Sequence, residues 1–396
     1  MGSTFTRSSK SPINCIGSMA FTPRAGCDHY GSCTKYSWRW TPRRCRSIQL
    51  ISMGTENKPL LSIKNLKTIF DLDEGSVKAV DGVSFDIFPQ RVLGIVGESG
   101  CGKSVTIKSI LRLIETPGRI VEGEIIFQTR NQNEVNINEV DLAKLNPKGK
   151  QMRSIRGNEI ALIPQEPMAA FSPVHTIGNQ LIENILLHQK VKESEAFEIA
   201  IERLKEVGIP NPEESMNRYS WELSGGLRQR AMIGMALTCN PSLLIADEPT
   251  TAIDVTTQAQ VLNLIRHLQQ KNKMSIIFIT HDLGVIAQLA DDVIVMYLGQ
   301  IMEKGTVDEI FHNPKHPYTQ ALLKSIPGIK TKNRAKLPTI EGSIPHPFNR
   351  PKGCLFYQRC VDAIPGTCNQ TPPELLPFQK QQYVSCFKYD GKSDAF

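Results

Sequence analysis

From Leu60 onward the pattern of apolar and polar positions becomes regular. Two β-rich stretches come first, Leu61 to Phe70 and Val83 to Phe88. An apolar strand, Arg91 to Val96, then runs into a Gly-rich turn and a helix expected over Lys103 to Ile114. Residues 124–163 read as short strands and loops. Between Thr176 and Val207 the spacing turns helical, with Ile177, Leu181, Ile185 and Leu186 followed by Phe197, Ala200, Ile201 and Leu204. Strands return at Leu243 to Ala246, Ser275 to Thr280 and Val293 to Tyr297, separated by helical segments. Such alternation predicts an α/β fold with a parallel sheet flanked by helices, interrupted by a helical insertion over about 176–235. After Phe311 the chain becomes Pro-rich and Cys-bearing, which marks a separate appendage from about residue 312.

Composition changes this picture little, but charge placement matters. The chain of 396 residues has room for two or three domains and carries a formal charge of +7. Residues 1–52 hold eight Lys or Arg and one acid, leaving 38 residues of each sign in 53–396. A neutral body implies no broad cationic face, so nucleic acid is not expected as a partner. No apolar run approaches the roughly 20 residues of a spanning helix. The basic, Ser-rich start fits a transit peptide or translated upstream sequence, and Met53 reads as a natural start. Residues 1–57 are expected to be a leader outside the fold, and Cys15, Cys27, Cys33 and Cys45 within it receive no role.

Gly97-Glu98-Ser99-Gly100-Cys101-Gly102-Lys103-Ser104 fits the phosphate-cradling pattern G-x-x-x-x-G-K-[ST] between a strand and a helix. Glycines let successive N–H groups turn inward, and the helix N-terminus adds its positive end. Lys103 is placed for the β- and γ-phosphates and the Ser104 hydroxyl for Mg²⁺. A chance Gly-rich turn is a poor rival for an eight-residue match in this context. Leu243-Leu244-Ile245-Ala246 reads as a buried strand ending in Asp247 and Glu248, the first for the metal and the second as general base on water. A helix cap is the structural alternative for those two acids.

Leu223-Ser224-Gly225-Gly226-Leu227-Arg228-Gln229-Arg230 resembles the signature sequence of the ABC family. Gln165 is similar to that family's Q-loop glutamine, Ala252-Ile253-Asp254 to its D-loop and His281 to its switch histidine. Phe70 lies where the family stacks an aromatic ring on adenine. The resemblance spans about 58–312 and implies an ABC-type nucleotide-binding domain of the P-loop NTPase class, with an antiparallel β subdomain and a helical subdomain. It further implies ATP held by Phe70, Gly97, Ser99, Gly100, Cys101, Gly102, Lys103, Ser104, Val105, Ser224, Gly225, Gly226 and Asp254. Catalysis falls to Glu248, His281 and Gln165, and Mg²⁺ to Ser104, Gln165 and Asp247. In this family each nucleotide lies between one chain's P-loop and the opposite subunit's signature segment. Leu227 and Ile253 depart mildly from the usual pattern.

His316-Pro317-Tyr318-Thr319-Gln320-Ala321-Leu322-Leu323, then Ile326-Pro327-Gly328, resembles the tail of oligopeptide and dipeptide transporter ATPases, over about 313–396. Nickel importers of the same branch share part of it. Cys354, Cys360, Cys368 and Cys386 are spaced x5, x7 and x17. Four such thiols without CxxC pairs suit an iron–sulfur cluster better than a zinc ribbon, and the resemblance implies a [4Fe–4S] cluster. Disulfides and unligated structural cysteines are the alternatives. Cys101 and Cys239 read as small packing residues.

The expected function is therefore that of an ATP-hydrolysing subunit energising di- or oligopeptide uptake at the cytoplasmic face of the plasma membrane. Its expected partners are two integral-membrane permease subunits, a second related ATPase subunit and an extracellular peptide-binding protein. A nickel importer ATPase and a soluble ABC ATPase acting on ribosomes or DNA are the competing readings.

Overall fold

The computed structural model describes residues 58–129, 138–166, 170–251, 253–326, 340–379 and 381–390, and of Val255 the backbone alone. The expected leader, Ala252 of the D-loop, and Pro327 and Gly328 of the tail lie outside the described residues. Glu56–Phe396 forms one compact unit.

Two sheets organise that unit. Four strands, β1 (Leu61–Leu72), β2 (Gly75–Ile87), β4 (Gly118–Thr129) and β5 (Asn138–Asp141), pair antiparallel in the order β2-β1-β4-β5. Inward positions such as Leu61, Ile63 and Leu66 alternate with exposed ones, as a half-buried sheet requires. The larger sheet has a parallel centre of β3 (Val92–Val96), β6 (Ile160–Ile163), β7 (Leu243–Asp247), β8 (Ser275–Ile279) and β9 (Asp292–Tyr297). Every residue of β3 and β8 is buried, because one face packs against the helices Val255–Asn272 and Leu283–Leu289 and the other against the helix Lys103–Ile110 and the four-stranded sheet. The helical insertion consists of Ile177–His188, Glu193–Glu206, Pro212–Ser215 and Gly225–Ala236.

The helix after the P-loop ends at Ile110, one turn before the expected Ile114. Arg112 sits in the left-handed region at φ 53°, and two bonds close the turn, Leu113 N–H to Lys108 O and Arg112 N–H to Ser109 O. Arg156 completes the stop by donating to the carbonyls of Leu111 and Arg112, at 2.7 and 2.9 Å. The stop signal is thus supplied by a residue 44 positions away.

The tail packs into the same unit rather than beside it. Strand β10 (Gln300–Thr306) pairs antiparallel with β9, and β12 (Gln382–Val384) and β11 (Leu376–Gln379) continue the edge of the large sheet. Glu303, wholly buried on β10, accepts from the N–H groups of Lys315 and His316 and from Gln382 Nε2. Burial pushes its carboxyl up, while these donors pull it back. Tyr297, Tyr318 and Phe356 form a buried aromatic cluster across this seam, with ring centroids 4.8 to 5.5 Å apart.

Candidate functional site

The P-loop joins β3 to the helix Lys103–Ile110. Gly97 and Gly102 have φ of 154° and 99°, and a Cβ at either would come within 2.2 Å of Met296 O or 2.4 Å of Ala79 O. Only glycine fits at these two positions, so the sequence pattern has a local steric cause. Lys103 is 6% exposed and donates to the carbonyls of Gly97 at 2.8 Å and Glu98 at 3.1 Å. Its ammonium therefore already lies in the bowl of the loop. Ser99 and Gly100 are exposed at the rim, and Val105 packs toward the core. Cys101 is buried against Gly97 with its thiol pushed up by burial, in keeping with a packing role.

Ser104 Oγ donates to Asp247 Oδ1 at 3.3 Å. Burial raises the Asp247 carboxyl, the Ser104 hydroxyl lowers it and the neighbouring Glu248 charge raises it again. A hydroxyl and one carboxylate of this kind suit Mg²⁺, which takes one or two carboxylates and completes its shell with phosphate oxygens and water.

Glu248 follows at φ 46°, a left-handed conformation costly for a non-glycine residue. The turn brings three partners onto its carboxylate. Gln165 Nε2 donates at 3.0 Å, Thr251 Oγ1 donates at 3.1 Å and His281 Nδ1 lies 3.4 Å away. Gln165 comes from the loop after β6 and His281 from the loop after β8, so three neighbouring strands aim their C-terminal ends at one oxygen pair. The helix-cap alternative fails for Glu248, whose side chain faces these partners.

Ser224 and Asp254 stand apart from this cluster. Each caps a helix, Ser224 toward Leu227 N–H at 3.4 Å and Asp254 toward Thr257 N–H at 2.9 Å. That N–H bond, with the Thr257 hydroxyl, holds the Asp254 carboxyl below its usual range. The two caps are neighbours, since a Cβ on Gly226 would meet Thr257 Cγ2 at 2.8 Å; Gly225 has open space beside it. Among the described residues, no hydrogen bond links Ser224 to the chain's own P-loop. Phe70 packs partly buried over Gly118, whose Cβ position lies 2.6 Å from its ring.

Cys354, Cys360, Cys368 and Cys386 all line one small cavity of about 10 Å³, and all four are free thiols. Burial pushes the Cys354 and Cys386 thiols up to about 11, and raises Cys360 as well. Among the described residues, no group of three or more His, Cys, Asp or Glu takes a metal-holding arrangement. The expected cluster thus finds its thiols gathered but not in ligating geometry. Cys239, half-buried, receives a weak bond from Gln189 Nε2 at 3.8 Å.

Residues that the sequence did not single out complete the site. Thr251 steadies Glu248, and Glu98 of the P-loop accepts from Arg359 of the tail and donates its N–H to the Tyr318 hydroxyl. Nothing in the local pattern marks them, because each acts across a gap in sequence or through a common residue type.

Residues 80–251 match the ABC transporter family, and residues 302–368 match the oligopeptide/dipeptide transporter C-terminal region. The chain is 46% identical to the probable peptide ABC transporter ATP-binding protein y4tR of Sinorhizobium fredii, over 83% of this chain and 95% of that protein. It is 47% identical to the oligopeptide transport ATP-binding protein AppD of Bacillus subtilis, over 84% and 97%. Among solved structures, the dimeric ATP-binding cassette MJ0796 bound to ADP and Pi shares the fold, with a TM-score of 0.53, 23% identity and coverage of 62% of this chain and 98% of that one. The chain belongs to the ABC transporter family, among the ATP-hydrolysing subunits that end in the oligopeptide/dipeptide transporter C-terminal region.

Proposed function

We propose that this ATPase subunit energises uptake of di- and oligopeptides, docked with a second, related ATPase subunit on two integral-membrane permeases supplied by an extracellular peptide-binding protein. The observation that carries the reading is the position of Gln165. Its amide reaches Glu248, while its neighbour Pro164 lines a mostly apolar groove of about 480 Å³ with Leu187, Met232 and Met235, to which Gln180, Glu183 and Asn184 add polar groups. A permease helix seated in that groove would shift Gln165 and with it the base. The peptide substrate is supported by the names of the relatives and by the tail they share.

Mg²⁺, when bound at Ser104, Asp247 and Gln165, neutralises charge on the phosphates. Glu248 orients and deprotonates the attacking water, and His281 and Thr251 hold that carboxylate in place. Ser224, with Gly225 and Gly226 at a helix start, is free to offer its dipole end to a γ-phosphate in the opposite subunit. A lone subunit is then slow, and placement at the cytoplasmic membrane face is peripheral. Among the described residues, no helix is long and apolar enough to cross a membrane.

ATP turnover of the purified chain, alone and then with permeases and peptide-loaded binding protein, tests the reading. Stimulation by loaded partners supports it; turnover that answers to ribosomes or DNA instead overturns it. A second reading, a [4Fe–4S] cluster at Cys354, Cys360, Cys368 and Cys386, is supported by the convergence of four free thiols on one cavity. Iron and sulfide content of anaerobically purified protein decides it, and a colourless, iron-free protein ends it.

A further inference from the structure

Glu98, the second residue of the P-loop, is gripped on three sides. Its carboxylate receives a bidentate pair from Arg359, Nη1 at 2.6 Å and Nη2 at 2.9 Å. Its N–H donates to the Tyr318 hydroxyl at 2.9 Å. Its carbonyl accepts from Lys103 Nζ. Two of these three grips come from the tail, and the third from the phosphate-binding lysine.

Arg359 is built for this contact. Its side chain is 5% exposed, Nε donates to Glu341 O at 3.2 Å, and the guanidinium lies 5.8 and 5.9 Å from the ring centroids of Tyr297 and Phe356. Planar, always charged and bonded along two edges, it holds the carboxylate in one orientation, which a lysine would not do. Arg359 and Phe356 both stand on the short turn between Cys354 and Cys360, where Tyr357 N–H bonds Cys354 O and Cys360 N–H bonds Tyr357 O.

We infer that Arg359 is a positioning residue for nucleotide binding, acting from the tail through Glu98. Two effects combine. The paired guanidinium fixes the backbone of Gly97 and Glu98, whose carbonyls set the place of Lys103. It also cancels a carboxylate that would otherwise stand uncompensated in a loop built to receive a polyanion. The nucleotide site therefore extends beyond the ABC match at 80–251 into the tail, and the turn carrying two of the four cysteines abuts the P-loop.

The inference rests on ATP occupying this loop, which wild-type affinity, measured in parallel, tests separately. The experiment is titration of the full chain with a fluorescent ATP analogue, with kcat and KM for ATP alongside. Arg359→Ala is expected to raise Kd and KM about tenfold while kcat at saturation changes less than twofold. Arg359→Lys should fall between, keeping the charge and losing the fork. Adding Glu98→Gln to Arg359→Ala should recover most of the lost affinity, because the stranded charge is gone. Folding is monitored by thermal melting. If Arg359→Ala does not fold, Arg359→Lys decides, since it keeps the charge and the stem and removes only the fork; an increase in Kd of about threefold is expected. Wild-type affinity in the deciding variant, or a loss that Glu98→Gln leaves unrelieved, overturns the inference.

Discussion

The site around Glu248 and the cavity of the four cysteines each gather polar groups from distant parts of the chain, yet they end in opposite states. Around Glu248, Gln165, Thr251 and His281 meet one carboxylate at 3.0 to 3.4 Å, and Ser104 already touches Asp247. Around the cavity, four thiols converge without a ligating set, and burial pushes those of Cys354, Cys360 and Cys386 up. The difference lies in which atoms do the aiming. Parallel strands deliver the catalytic groups from their C-terminal ends, and that geometry is set by sheet register. Short turns and 3₁₀ segments deliver the thiols, such as Tyr357–Arg359 just before Cys360. Such segments impose no common direction.

If the catalytic site is preorganised, removing its central cation should have the largest effect. Lys103→Ala removes the ammonium that bonds the carbonyls of Gly97 and Glu98 and leaves the phosphates without their counter-charge. Nucleotide affinity should fall on the order of a thousandfold. Equilibrium binding of labelled ATP measures this, and retained affinity would remove Lys103 from the cradle.

Glu248→Gln separates holding from hydrolysing. The amide keeps the shape but cannot take a proton, so kcat should fall about a hundredfold or more with ATP affinity preserved. Single-turnover phosphate release reads the chemistry directly. An unchanged rate would transfer the role of base to another group.

The opposing prediction concerns the thiols and works through stability. In metal-free protein the folded thiols of Cys354 and Cys386 sit near 11, above the 9.0 of an ordinary thiol. As pH rises from 9 toward 11, the unfolded chain loses protons that the folded chain retains, so unfolding is favoured. The melting temperature should therefore fall by several degrees across that window, and Cys386→Ser should flatten the slope. A flat slope in wild-type protein would mean that the thiols are already ionised or ligated, which would bring the two sites closer in character.

The same contrast governs what could be read from the sequence. Gly97 to Ser104 is legible because its chemistry is contiguous and its glycines have steric causes at two named carbonyls. Asp247 and Glu248 are legible because a buried strand leads straight into them. The tail is legible as a resemblance, but the way it continues the sheet is not. Strands β11 and β12 are four and three residues long, and the pairing of β12 with β10 is fastened by Glu303, whose buried carboxylate no local pattern announces. The early end of the helix at Ile110 escaped for a like reason, since Arg156 caps it from far along the chain.

Thr251 offers the finest test of how far the Glu248 network is preorganised. Its hydroxyl is the third contact on the carboxylate and shares Glu248 Oε2 with Gln165. Thr251→Val keeps the volume and the branched side chain and removes one donor, so packing changes little while the carboxylate gains freedom. Gln165 and His281 remain on it, and the backbone bond from Thr251 N–H to Glu248 O at 3.1 Å still closes the turn. A fall in kcat of about threefold, with KM for ATP unchanged, is therefore expected. A loss near that of Glu248→Gln would mean that the strained φ of Glu248 depends on this one hydroxyl, and that the strand ends alone do not aim the base.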